Sequence, residues 1–268
     1  MSSKCSATLA SALVALAVFS SCRSAAPAQP ASAPATPPTV AAATPAAPPL
    51  GQPAADAKPP SNAIRWARDS AEHRAIYLQV YAAATAHVER EVQKRSAGSW
   101  GVVLDADETV IDNSQYQLER ERAGLPFDGP SWDAWTKRRE ALAQPGARAF
   151  LARVRELGGR IAIVTNRTVS ECPDTEAVFR AQDLAFDVVL CKPDRGPSDK
   201  NPRFEAVARG TTPAGLPPLE IVAFLGDNIL DFPGLSQAIR KDGDAAFAAF
   251  GTRFFALPNA MYGSWERN

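Results

Sequence analysis

Five short apolar runs alternate with stretches of helical spacing, and this alternation constrains the chain more than any other feature. Trp100–Leu104, Arg160–Val164, Asp187–Leu190, Glu220–Leu225 and Arg253–Leu257 suit strands buried on both faces. Between them, Ala147–Leu157, Thr175–Leu184 and Arg203–Arg209 carry helical patterns. Such alternation implies an α/β fold, a parallel sheet with helices on both faces. Sites in these folds lie beyond the C-terminal strand ends, near a switch in strand order. Ahead of the first strand, Tyr77, Val80, Tyr81, Ala84, Val88 and Val92 recur at helical spacing. They predict one long amphipathic helix over residues 63–95, with both tyrosines in the core. Residues 114–145, between the first two strands, are numerous enough for a small helical cap, broken at Gly124-Leu125-Pro126.

The first sixty residues obey different rules. Lys4 precedes an apolar run from Ala7 to Phe19, too short to span a bilayer comfortably. It reads as a signal peptide over 1–21. Ser20-Ser21-Cys22 resembles a bacterial lipobox, in which cleavage precedes a cysteine that then carries lipid. Residues 22–62 are rich in Ala, Pro, Ser and Thr, a composition that cannot offset its own ordering entropy. They read as a spacer between the anchor and a domain over 63–268. The expected location is the outer membrane, facing periplasm or surface, with a soluble periplasmic protein as the alternative. Lysine plus arginine and aspartate plus glutamate each total 29, so no charge excess points to a nucleic acid polymer.

Three strand ends carry polar residues that folding alone does not require. The first runs into Asp105-Ala106-Asp107-Glu108-Thr109, the second into Thr165-Asn166-Arg167, and the fourth into Gly226-Asp227-Asn228-Ile229-Leu230-Asp231. A single aspartate at a strand end is usually a cap or a turn former. Carboxylates converging from two strands repel unless a cation neutralises them, and hard oxygen donors suit Mg²⁺.

Asp105-x-Asp107-x-Thr109, Thr165-Asn166, Lys200 and Gly226-Asp227-x-x-x-Asp231 resemble the four motifs of the haloacid dehalogenase superfamily. Asp107 to Ser114, Val164-Thr165-Asn166-Arg167 and Leu257-Pro258-Asn259-x-Met261-Tyr262-Gly263 narrow the resemblance to bacterial class C acid phosphatases, which include outer-membrane lipoprotein 5′-nucleotidases. The resemblance implies a Rossmann-type sheet and hydrolysis of small phosphomonoesters, with 5′-nucleoside monophosphates favoured. Carried over, Asp105 is the nucleophile and Asp107 the acid/base. Thr165, Asn166 and Lys200 handle the phosphoryl group. Mg²⁺ lies on Asp105, the Asp107 carbonyl and Asp227, with Asp231 in support. Trp132 and Tyr262 match two aromatics beside the substrate base, while Trp135 packs either the cap or the substrate.

Other residues receive smaller parts. Lys192 is assigned to the surface, since Lys200-x-x-Arg203 better matches the start of a helix in the resembling family. Asn113 and Arg167 are weaker candidates for positioning a phosphoryl oxygen, with structural roles favoured, and His73 and His87 are assigned structural roles. Cys172 and Cys191 follow neighbouring strands and form either a disulfide or two free thiols. Hydrolysis and phosphotransfer to an alcohol are both open, as is the oligomer, with a homodimer among the options. A non-catalytic lipoprotein that binds haem or a partner is the alternative from another class, opposed by the complete motif set.

Overall fold

The computed structural model describes residues 59–267. The signal peptide, Cys22 and nearly all of the spacer lie outside the described residues. The described residues open with two helices, α1 (Asn62–Asp69) and α2 (Ala71–Glu91), and then enter the first strand, β1 (Trp100–Leu104). The single helix expected over 63–95 is therefore broken. Ser70 takes an extended backbone (φ −87°, ψ 139°), and its hydroxyl accepts from the His73 N–H, capping α2. The hydroxyl of a serine satisfies an orphan donor at a helix start, which favours a new start over continuation.

A short strand, β2 (Ile111–Asp112), leads into the cap helices α3 (Ser114–Arg122) and α4 (Gly129–Arg138). The chain returns through β3 (Leu142–Ala143), which pairs antiparallel with β2. This two-stranded stalk, with no counterpart in the periodicity, fixes where the cap leaves the body. Then follow α5 (Ala147–Glu156), β4 (Arg160–Thr168), α6 (Cys172–Ala181), β5 (Val188–Lys192), α7 (Asn201–Arg209), β6 (Glu220–Gly226) and β7 (Phe254–Ala256).

The five long-range strands form one parallel sheet in the order β5-β4-β1-β6-β7. From β1 the chain fills one side of the sheet and then crosses to the other, so the switch in strand order falls beside β1. Side chains alternate through the sheet. Val102, Leu104, Ile161 and Ile163 join Tyr77, Tyr81, Trp100 and Phe150 in one buried cluster. Val103, Ala162 and Val164 join Phe204, Val207, Phe224 and Phe254 in another. All five residues of β1 are buried, as a strand covered on both faces requires.

The β4–β5 ladder loses register between Val164 and Thr168. Such an irregularity re-aims side chains at a strand end, and Thr165-Asn166-Arg167 occupy it. Cys172, at the start of α6, is disulfide-bonded to Cys191 of β5, with Cα atoms 6.1 Å apart, so the two cysteines are paired.

Candidate active site

Asp105 immediately follows β1, and its N–H bonds to the Leu225 carbonyl at 3.0 Å, extending the β1–β6 ladder by one residue. Asp227 immediately follows β6. Adjacent parallel strands thereby deliver two carboxylates to one place. The Asp231 carboxylate joins them from the 3₁₀ turn at Ile229–Asp231, and oxygens of all three lie within 4.8 Å of one another. Asp231 thus lies in the acidic cluster itself, beside the two carboxylates that it was expected to support. Its Oδ2 also accepts from the Asn228 N–H at 2.8 Å, closing the turn. Gly226 makes this approach feasible: a Cβ there would lie 2.3 Å from the Asp231 Cβ.

One buried cation faces the cluster. Lys200 caps α7, and its Nζ lies 2.5 Å from Asp105 Oδ1 and 2.6 Å from Asp231 Oδ1. Burial opposes its charge, but Asp105 and Asp231 outweigh that penalty and hold it protonated. Among the described residues, the hydrogen-bond donors to Asp227 are neutral, Asn259 Nδ2 at 2.9 Å and Thr109 Oγ1 at 3.3 Å, and Lys200 acts on it only through space. Burial raises the pKa of Asp227 well above the usual carboxylate range, and Asp231 and Asp105 raise it further. Burial raises that of Asp105 too, against the pull of Lys200. Three clustered carboxylates and one ammonium leave negative charge uncompensated, and the donors are hard oxygens. This set fits a divalent cation. Lys192 ends β5 half-buried rather than on the open surface, in register with Thr168.

The loop between Asp105 and β2 is tightly fastened. Val110 and Ile111 N–H groups both bond to the Ala106 carbonyl at 2.9 Å. Glu108 adopts φ +50°, an uncommon conformation for a residue with a side chain. Its buried carboxylate accepts from the Asn113 N–H at 2.7 Å. From α2, the Tyr77 hydroxyl donates to the Glu108 carbonyl and the Tyr81 hydroxyl donates to the Thr109 carbonyl at 2.8 Å. Burial keeps both phenols in their neutral, donating form. These tyrosines are core residues, as expected, and they also pin the motif loop. His73 packs on Tyr77 with ring centroids 4.4 Å apart, and His87 Nε2 lies 3.0 Å from the Val222 carbonyl.

Asp107 is held from the other side. Asn113 Nδ2 and Arg167 Nε each donate to its Oδ1 at 2.9 Å, and Arg167 Nη2 approaches the same oxygen at 2.8 Å. Arg167 and Asn113 thus contact a motif aspartate directly, whereas the sequence favoured structural roles for them. The Val164-Thr165-Asn166-Arg167 motif marks the arginine but not its direction, which the re-aimed end of β4 sets. Thr165 is fully buried, and its Oγ1 accepts from the Arg167 N–H at 3.1 Å. Asn166 lines the cleft, its Oδ1 accepting from Arg203 Nη2 at 2.6 Å. Arg203 also donates to the Thr165 carbonyl. Its position one helical turn beyond Lys200 is the only sequence hint of this role.

These groups open into a cleft of about 640 Å³, whose lining includes Phe127, Trp132, Met261 and Tyr262. Trp132 packs edge-on against Tyr116 at 5.0 Å between centroids and is half-buried. Trp135 is buried and donates its indole N–H to Asn113 Oδ1 at 2.9 Å, so it ties the cap to the body. Phe127, absent from the sequence reading, is 63 % exposed and lies 6.0 Å from the Trp132 ring.

A family model described as HAD superfamily, subfamily IIIB (acid phosphatase), matches residues 40–265. Among solved structures, the class C acid phosphatase from Bacillus anthracis is similar at 29 % identity and a TM-score of 0.67, covering 76 % of this chain and 85 % of that one. The tungstate-bound form of the same enzyme gives the same values. With the family model matching most of its length and its fold matching that scaffold, the chain belongs to the subfamily IIIB acid phosphatases of the HAD superfamily and is a phosphomonoesterase.

Proposed function

We propose that this chain is an exported, Mg²⁺-dependent acid phosphatase that prefers 5′-nucleoside monophosphates and works through an aspartyl-phosphate on Asp105. The observation that carries this reading is the convergence of Asp105, Asp227 and Asp231 around one ammonium, at the foot of a cleft walled by aromatic rings. Phosphatases of this superfamily use a divalent metal. Here Asp105, Asp227 and the Asp107 carbonyl would hold Mg²⁺, with Asp231 adjoining. The bound ion would damp the repulsion between nucleophile and phosphoryl oxygens.

The chain's own residues account for the remaining steps. A carboxylate oxygen of Asp105 bonds to phosphorus as the bond from phosphorus to the ester oxygen breaks. Asp107 gives its proton to that departing oxygen. Asp107 then takes a proton from water as the water oxygen attacks phosphorus and the Asp105 carboxylate leaves. Lys200 offsets charge on the nucleophile and the transferring group throughout, while Thr165 and Asn166 orient a phosphoryl oxygen.

Trp132 and Tyr262 offer π-faces without a fixed hydrogen-bond pattern for base edges. Stacking of that kind is worth about 1–3 kcal/mol per base in single-strand binding proteins. Little discrimination among bases follows. Cys22 would anchor the protein through lipid, and the Cys172–Cys191 pair suits an oxidising compartment.

A substrate panel tests the reading. Purified protein should hydrolyse 5′-nucleoside monophosphates faster than glycerol phosphate, lose activity in EDTA and regain it with Mg²⁺. Trp132→Ala should lower kcat/KM for nucleotides about tenfold more than for glycerol phosphate, the equivalent of about 1.4 kcal/mol. Full activity in excess EDTA would remove the metal from the mechanism. Equal losses on both substrates would reduce Trp132 to a cap residue.

A further inference from the structure

We infer that Arg167 is a positioning residue that orients Asp107 so that one defined oxygen, Oδ2, faces the leaving group. The inference rests on the proposed acid/base role of Asp107 and adds the atom that performs it. Oδ1 of Asp107 accepts from Asn113 Nδ2 and Arg167 Nε, each at 2.9 Å, and Arg167 Nη2 stands 2.8 Å away in ion-pair contact. Oδ2 has one longer contact, 3.3 Å from Arg167 Nε. Two donors and an ion-pair contact leave little acceptor capacity on Oδ1. Oδ2 therefore keeps the lone pairs through which the group can exchange a proton. The Asp107 side chain keeps 17 % of its surface exposed and lines the cleft.

Arg167 is suited to holding rather than binding. Its side chain is 1 % exposed where it borders the cleft, and its guanidinium lies 5.4 Å from the Trp132 ring, so its donors are turned toward the protein rather than toward a phosphoryl group. Nη1 donates to Thr175 Oγ1 at 3.2 Å and Nη2 to Asn113 Oδ1 at 3.1 Å. The guanidinium is thus fixed by α6 on one side and by the start of the cap on the other. Asn113 admits one orientation only: its Nδ2 must donate to Asp107, because its Oδ1 accepts from both Arg167 and Trp135. The two reactive carboxylates consequently have separate cations, Lys200 for Asp105 and Arg167 for Asp107. A planar fork can hold several acceptors in set directions, which the point charge of lysine cannot.

The test compares two esters that both carry an aromatic ring but differ in leaving group. Benzyl phosphate releases a basic alkoxide and needs a proton, whereas p-nitrophenyl phosphate releases a stable phenolate and needs little help. In saturating Mg²⁺, Arg167→Gln and Arg167→Lys should each lower kcat/KM for benzyl phosphate roughly tenfold or more beyond the loss on p-nitrophenyl phosphate. Asp107→Asn should show the same bias. The ratio between esters cancels the amount of folded enzyme, so a poorly folding variant still reports. Equal losses on both esters in the Arg167 variants, with Asp107→Asn still biased, would overturn the inference and leave the proposed function standing. So would an Arg167→Lys ratio matching the unaltered protein. No bias in Asp107→Asn would instead overturn the acid/base role and this inference with it.

Discussion

Asp105 and Asp107 are two residues apart and share a loop, yet their surroundings differ in kind. Asp105 sits against an ammonium and two further carboxylates, while Asp107 sits in the fork of a guanidinium. The first arrangement suits an attacking oxygen and the second an oriented one. Asp105→Asn keeps the shape and removes the attacking charge, so kcat should fall on the order of 10³-fold or more with the melting temperature little changed. Substantial turnover in a folded variant would exclude the aspartyl-phosphate route. Gly226 makes a second case. The Cβ of Gly226→Ala would collide with the Asp231 side chain, which can yield only by leaving Lys200 and the Asn228 N–H. That variant should lose activity at least tenfold and bind Mg²⁺ more weakly, as calorimetry would report. Unchanged affinity would mean that Asp231 matters little to the metal.

Elements were legible to the extent that burial patterns them. The strands of the sheet were visible because a strand covered on both faces must be apolar throughout, and the strand-end aspartates stood out against that background. The break at Ser70 was not, because the helical apolar spacing of Tyr77 to Val92 carries no information about a cap upstream. The β2–β3 stalk escaped as well, since two residues make no pattern. Lys200 was reachable from its place before a helix, whereas Arg167, Asn113 and Arg203 acquire their roles from a ladder irregularity and from contacts across elements. The cysteine pair was undecided in sequence because pairing depends on a distance. Helix α2 adds a pH dependence. Burial lowers the His73 pKa below its ordinary 6.5, with Asp112 opposing. The unfolded chain therefore binds the extra proton first, so the contribution is intact above about pH 6.5 and declines as pH falls below it. Chemical denaturation of His73→Phe should show a flatter decline in stability from pH 6.5 to 5 than the unaltered protein. Parallel profiles would place the acid sensitivity elsewhere.

On the scale of the whole molecule, formal charge is balanced, while one cleft sets the aromatic rings of Phe127, Trp132 and Tyr262 beside the acidic cluster. The remaining expectation concerns the segment outside the described residues. If Cys22 is the anchor, native protein should fractionate with membranes and begin at a lipidated Cys22 by mass spectrometry. An unmodified start downstream would make it a freely diffusing periplasmic enzyme.

The tyrosine pins and the Asn259 contact also bear on biosynthesis. Tyr77, upstream of every motif aspartate, donates to the Glu108 carbonyl, whereas Asn259, downstream of all of them, donates to Asp227. A growing polypeptide that has not yet delivered Asn259 holds every motif aspartate but lacks this direct partner of Asp227. Its turnover should therefore lag that of a chain that has passed Asn259, so catalysis waits on the segment that follows the last strand of the sheet.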